Sequence, residues 1–319
     1  MLLYFLQRAS SLLLTLLLAS VVVFGVLEVL PGNSAQVMLG PDASAEAVQA
    51  LTRQLGLDQP VGVRYWQWIS GLLQGDMGNS YAYGTPVWPL LMERFSLTVP
   101  LALLAMLITS LCALCAGIYA ASRHNRLGDY VTMGITQIGM AVPNFWFAIM
   151  LVMVFAVHLR WLPAGGFHGW SAGWGQAAIS LLLPALALAV VQTAILTRIT
   201  RSSMLEVMQE DFVRTARARG LSPRAALWRH VLRNGMIPVL TVMGLQFANL
   251  LAGTIVIENV FYLPGLGRLI FQSIANRDVI VVRNAVMVLA TMVMVVNFLV
   301  DVLYAALDPR LRHAARRSP

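Results

Sequence analysis

The sequence predicts an all-α integral membrane protein with six transmembrane helices, and three observations carry that expectation. Hydrophobic residues make up 58% of the 319 positions and charged residues only 11%, with a mean hydropathy of +0.73. Several apolar runs exceed the roughly 20 residues a helix needs to cross a bilayer. The arginines cluster in alternate connecting segments. The predicted spans cover about 9–30, 98–121, 131–157, 178–199, 236–257 and 284–307, in one transmembrane domain over 1–319.

The first span follows Arg8 and runs from Ser10 through Leu27. It is longer than a secretory h-region, and no A-x-A-like site follows before Pro31, so it reads as a retained helix. Glu28 falls at its end, where a carboxylate is tolerated at the interface. Residues 31–97 form the longest non-spanning region, predicted extracytoplasmic with short helices. Ser44 to Gln54 is amphipathic, with Val48, Leu51 and Leu55 on one face and Gly56 as its stop. A turn at Asp58-Gln59-Pro60 precedes a second helix, Arg64 to Gln74, bearing Tyr65, Trp66, Trp68 and Ile69. Six of the eight tryptophans (66, 68, 88, 161, 170, 174) lie on this outer side, as an interfacial belt or a surface receiving a solute-binding protein.

The second span carries Cys112 and Cys115. A C-x-x-C without a third ligand nearby reads as small apolar packing in a helix rather than a redox or metal pair. Pro143 and Pro184 sit in the third and fourth spans, where proline frees backbone carbonyls and permits a hinge or a static bend. His158 and His168 flank Trp161-Leu162-Pro163 and read as solvated histidines, and no metal site is expected. GDMGNS, with Gly75, Asp76 and Gly78, and LPGLGR, with Pro264, Gly265 and Gly267, lack the strand-glycine-helix context of a phosphate cradle. Both read as tight turns at the mouth of a pore. Glu258, like Glu28 and Asp301, falls near a span end.

Between the fourth and fifth spans lies an arginine-rich insert, 200–235, flanked by further arginines. Arg198, 201, 214, 217, 219, 224, 229 and 233 fall in or beside it. Leu205 to Arg219 has helical spacing, with Leu205, Met208 and Phe212 on one face, and Glu210 stands four residues before Arg214 in the favourable order. Gly220 suits a helix C′ position, Ser222 an N-cap and Pro223 a first helical position, opening a second helix over Ala225 to Leu232. Such punctuation describes a docking device rather than a plain loop.

With the N-terminus inside, cytoplasmic segments hold 15 arginines: Arg8, 123, 126, the eight above, and 310, 312, 316 and 317. The other side holds seven (53, 64, 94, 160, 268, 277, 283) over longer loops, so both termini are predicted cytoplasmic. The net charge of +8 follows from this bias. Because the arginines border spans, they suit anionic lipid or a docked partner rather than nucleic acid. No lysine occurs, which excludes a Walker A motif from this chain.

RTARARGLSPRAALWRHVLRN (214–234) resembles the "EAA" loop of binding-protein-dependent ABC importer permeases of the dipeptide, oligopeptide and nickel group. Ala216 and Gly220 match the pattern, while Arg214 and Thr215 stand where the generic motif has Glu and Ala. VLPGN (29–33), LGLDQPVGVRYWQW (55–68), GDMGNS (75–80), VPNFW (142–146), IENVFYLPGLGRL (257–269) and LDPRLR (307–312) extend the resemblance along the chain in order. The resemblance implies a type I importer-like transmembrane domain in a bacterial inner membrane. It also implies a second homologous permease, two ATP-binding subunits that hold the ATP and Mg, and an extracytoplasmic solute-binding protein. The chain itself would bind no cofactor and catalyse no reaction. Its coupling loop would comprise Arg214, Thr215, Ala216, Arg217, Ala218, Arg219, Gly220, Leu221 and Ser222, and its solute would be peptide-like, or alternatively nickel or a metal chelate. A secondary transporter would explain the spans but not the helix-elbow-helix insert. A membrane enzyme lacks H-E-x-x-H, G-x-S-x-G or any comparable constellation.

Overall fold

A computed structural model describes residues 2–29, 34–40 and 42–307. The first span is α1 (Leu2–Val29). After it come α2 (Ser34–Leu39), α3 (Ala45–Gln54) and α4 (Val61–Gln74). Ser44 caps α3 by accepting from the Ala47 N–H, and Gly75 ends α4 in the left-handed region at φ 81°. The second span, α5 (Val87–Ser122), starts well before the apolar run suggests, so the tail of the predicted outer loop is helical.

The third span is not one helix. It comprises α6 (Leu127–Ala141), then α7 (Asn144–Leu151), which continues through a π-helical turn, Val152–His158. The two parts meet at 102°. Pro143 stands at the N-cap of α7 with extended backbone angles, so here the proline breaks the span outright. Pro184 behaves oppositely: it is buried inside an unbroken α8 (Trp174–Met208), as Pro100 lies inside α5. Next come α9 (Asp211–Ala218), α10 (Pro223–Ala226) with a π-helical turn Leu227–Val231, and α11 (Leu232–Val260). The chain closes with α12 (Leu266–Ala275) and α13 (Val279–Leu307). Among the described residues, five helices are long and apolar enough to cross a membrane, or six if the bent pair counts as one span.

The core is built where small residues let helices approach. α5 and α8 form the most extensive helix pair, and α11 packs against α8 and α13. A Cβ on Gly117 of α5 would collide with Thr200 of α8, and buried Ala105, Ala113, Ala120, Ala185, Ala187 and Ala189 line the same helices. Close backbone approach gives dispersion contacts that lipid cannot replace. A second cluster joins Val87 and Leu91 of α5 to Leu266 and Leu269 of α12 and Val281 and Ala285 of α13. A third gathers Ala121, Met204, Val213, Ala226, Leu227 and Val231 at the end of the bundle that carries α9 and α10.

α1 stands apart. Only 11% of its most apolar window is buried, and it leans on α13 through Phe5 against Phe298 and an Arg8–Asp301 ion pair at 3.2 Å. The expectation for Cys112 and Cys115 is corrected: both thiols are free and exposed on the flank of α5, with Leu103, Leu107 and Leu111. Their side chains lie on the surface of this chain instead of packing inside it. The sequence segments at 30–33 and 308–312, with Arg310, 312, 316 and 317, lie outside the described residues.

Candidate functional site: the helical elbow and the opposite rim

The arginine-rich insert folds as one short helix, α9, and a closed turn; the second short helix expected over Ala225 to Leu232 is instead the start of one continuous helix, Pro223–Val260, that runs through α10 and its π turn into α11. α8 runs on to Met208, the chain breaks at Gln209-Glu210 with Glu210 extended (ψ 145°), and α9 restarts at Asp211. The continuous helix expected from Leu205 to Arg219 is therefore two, and the break resets the phase. Val213 points inward at 2% exposure, whereas Phe212, which the unbroken pattern placed on one face with Leu205 and Met208, is 44% exposed. Arg214 consequently meets Asp211 at 3.4 Å rather than Glu210. Both partners are largely exposed, so the pair contributes little.

The end of α9 is specified tightly. The Leu221 N–H donates to the Ala216 carbonyl and the Gly220 N–H to the Arg217 carbonyl, with Gly220 at φ +95°. This pair of bonds is the Schellman arrangement, which satisfies helix-end carbonyls and turns the chain. Ser222 then accepts from the Ala225 N–H at 3.2 Å, and Pro223 occupies the first turn of α10. One helix stops and another starts within a few residues. Leu221 is half-buried against the cluster beneath, and Val213, Ala226, Leu227 and Val231 root the elbow on the ends of α5 and α8. The outward surface presents Arg214, Thr215, Arg217, Ala218, Arg219 and Arg224 with Phe212 and Trp228, the latter 57% exposed. A rigidly rooted surface of guanidinium groups and aromatic edges suits an acidic, grooved protein partner.

Just above the elbow, the buried Asp129 carboxylate receives two bonds from Arg201, at 2.5 and 2.7 Å, and one from the Asn125 backbone at 3.1 Å. His124 approaches the same carboxylate at 3.4 Å. This fork-to-fork pair pins the α5–α6 turn to α8 where α8 leads into the elbow. Nothing in the residue spacing announces it, since the partners are 72 positions apart.

On the opposite rim, the two glycine-rich turns have different structures. In GDMGNS, Asp76 accepts from the Gly78 N–H at 2.8 Å, and Gly78 has φ +73°, a tight turn as expected. In the second, Gly265 precedes α12 and Gly267 lies in its first turn, so LPGLGR is a helix start rather than a turn alone. Glu258 falls near the end of α11, as expected. It is fully buried and accepts from the Gly267 and Arg268 N–H groups at 2.7 and 3.2 Å and from the Thr98 hydroxyl at 2.6 Å. Thr98 in turn accepts from the Leu266 N–H at 2.9 Å. A carboxylate against a helix N-terminus satisfies donors the helix cannot use. A Cβ on Gly265 or Gly267 would collide with that carboxylate, and one on Gly267 also with the Ile255 backbone. The glycines and Glu258 are one packing unit, and the turn at Asp76 and Gly78 is separate from it.

The rim also shows how α4 is held. Trp68 is buried and donates to the Asn284 side chain at 2.9 Å, while Glu28 pairs with Arg64, so neither behaves as a free interfacial group. Trp66, Trp161 and Trp174 are exposed, as a belt requires. Burial pushes the Tyr81 phenol above its ordinary range, with the nearby Arg283 charge pulling the other way. The hydroxyl therefore stays protonated.

Residues 113–313 match the family described as "Binding-protein-dependent transport system inner membrane component", and residues 1–102 match the N-terminal component of such systems. The chain belongs to this family of inner-membrane permeases. Glutathione transport system permease protein GsiC of Salmonella choleraesuis (strain SC-B67) is 41% identical over 313 residues, covering 98% of this chain and all of the relative. The protein of the same name from Escherichia coli (strain K12) is 40% identical over the same length. Among solved structures, an inward-facing MetNI methionine ABC transporter chain superposes with a TM-score of 0.57 at 16% identity, covering 69% of this chain and 96% of that one. That likeness concerns the fold. As a binding-protein-dependent permease, this multi-pass inner-membrane protein works with ATPase and solute-binding partners.

Proposed function

We propose that the chain forms half of the translocation pore of an ATP-driven importer for a peptide-like solute delivered by an extracytoplasmic binding protein. A second, related permease completes the pore, two ATPase subunits bind the ATP and Mg, and both termini lie in the cytoplasm. The observation that carries this reading is the elbow at Gly220, rooted in the bundle and presenting arginines with Phe212 and Trp228. Closure of an ATPase dimer would move α9 and α10, and their anchorage on α5, α8 and α11 transmits that movement to the spans. The solute class is supported by the 40–41% identity to proteins named as glutathione permeases.

The test is reconstitution. Vesicles holding this chain with its companion permease, ATPases and binding protein should take up glutathione or a short peptide only with ATP. The isolated chain should neither hydrolyse ATP nor take up solute. Robust uptake by the isolated chain under an ion gradient would overturn the proposal.

A further inference from the structure

A cavity of about 330 Å³ opens on the rim opposite the elbow, between the ends of α1 and α4, the 76–81 turn and the start of α13. Its size matches small-molecule sites, which begin at roughly 300 Å³. Arg283 lies in its wall, its guanidinium 4.7 Å from the Trp68 ring centre and 5.5 Å from that of Phe24. These rings hold the guanidinium plane in place. They do not neutralise it: among the described residues no acid pairs with Arg283, and its Nε is buried without a hydrogen-bond partner. The other arginine of the wall, Arg64, is already engaged by Glu28 and by the Gln59 carbonyl. A half-buried cation lacking an anion is costly, and that cost is relieved by an oxyanion entering from outside.

The same wall limits which oxyanion fits. Glu28, held by Arg64, and Asp76 also line the cavity, and among the described residues only one Asp76 oxygen is used, in the bond from Gly78. With Glu28 taken up by Arg64, one carboxylate, Asp76, stands beside one unpaired guanidinium, a balance that disfavours a dianion such as phosphate. It suits a molecule that carries an ammonium as well as a carboxylate.

We propose that this cavity is a binding site for a small zwitterion, an amino acid or short peptide with free termini, its carboxylate on Arg283 and its ammonium toward Asp76. Phe24 and Trp68 keep the guanidinium in position, so the site is formed before the ligand arrives. It lies at the opposite end of the bundle from the elbow and requires neither ATP nor a companion subunit. It therefore stands or falls separately from the importer reading.

Calorimetry on the full chain in detergent tests this with the dipeptide Ala-Ala, its N-acetylated form, its C-terminal amide and inorganic phosphate as probes. Ala-Ala should bind saturably, each blocked form at least tenfold more weakly, and phosphate not detectably. Arg283→Gln should lower Ala-Ala affinity at least tenfold, and Asp76→Asn should weaken it while leaving the response to the N-acetylated form unchanged. The blocked ligands read both charges on the unaltered protein, so the test survives if Arg283→Gln fails to fold. No Ala-Ala binding, equal binding of the blocked forms, or binding of phosphate alone would overturn the proposal.

Discussion

Gly220 and Glu258 show two ways in which one residue can matter. A Cβ added at Gly220 would meet no atom within 4 Å, so a side chain there enters open space. The backbone at φ +95° is the whole constraint. A β-branched replacement should cost about 1–2 kcal/mol in that region, expressed as a reoriented α9. Gly220→Val should keep normal abundance and insertion while ATPase co-purification and uptake fall sharply, and Gly220→Asn should retain more of both. Wild-type uptake and assembly in Gly220→Val would make the elbow an ordinary connection. Glu258 is constrained by its partners instead. Glu258→Ala leaves the Gly267 and Arg268 N–H groups without an acceptor, at about 1–3 kcal/mol for each buried orphan. Its melting temperature in detergent should drop clearly, whereas Asp211→Ala, in a pair 95% exposed on the acid side, should leave it almost unchanged. The glycine is legible in the sequence because turn chemistry is local. The burial of Glu258 is not, because it depends on Thr98, 160 residues away, reaching the same carboxylate.

At the level of elements, spans and caps are readable wherever the signal lies within a few neighbouring residues. The N-caps at Ser44 and Ser222 and the positive-φ stops at Gly56 and Gly220 are of this kind. The broken third span is harder. Its apolar run is continuous through Pro143, and hydropathy cannot distinguish a kink from a 102° break. The phase of α9 is hidden for a related reason: helical periodicity across Gln209-Glu210 looks continuous although the backbone is not. The Asp129–Arg201 pair fixes the element that leads into the elbow, and it yields a further prediction. Asp129→Asn should destabilise by about 2–3 kcal/mol, the lower part of the range for breaking a buried pair, because Arg201 keeps a route to water. The α5–α6 turn at His124-Asn125 should become protease-sensitive, and coupling should weaken even though no residue of α9 or α10 has changed. A turn as resistant as the wild type would show that the pair is not what holds it.

For the whole molecule, orientation is the property most open to direct measurement. In a Cys112→Ala, Cys115→Ala background, cysteines placed at Ser44 and Trp170 should react with an impermeant thiol reagent in intact cells. One at Ser222 should not, and labelling there would reverse the assignment of the elbow to the cytoplasm. The background itself should transport nearly normally, since both thiols are free and lie exposed on α5.

The contacts of α1 set a timetable for building the molecule. Arg8 meets Asp301, and Phe5 meets Phe298, so the first span finds its seat on the last. Synthesis at roughly 5–20 residues per second means α1 waits tens of seconds in the bilayer before α13 exists. During that interval α5, α8 and α11 can already pack by their alanine faces. Biogenesis should therefore pass through a species with a finished centre and a first helix held at one end by α4, through Glu28 and Arg64, but not yet seated on α13, the form most exposed to membrane proteases and quality control.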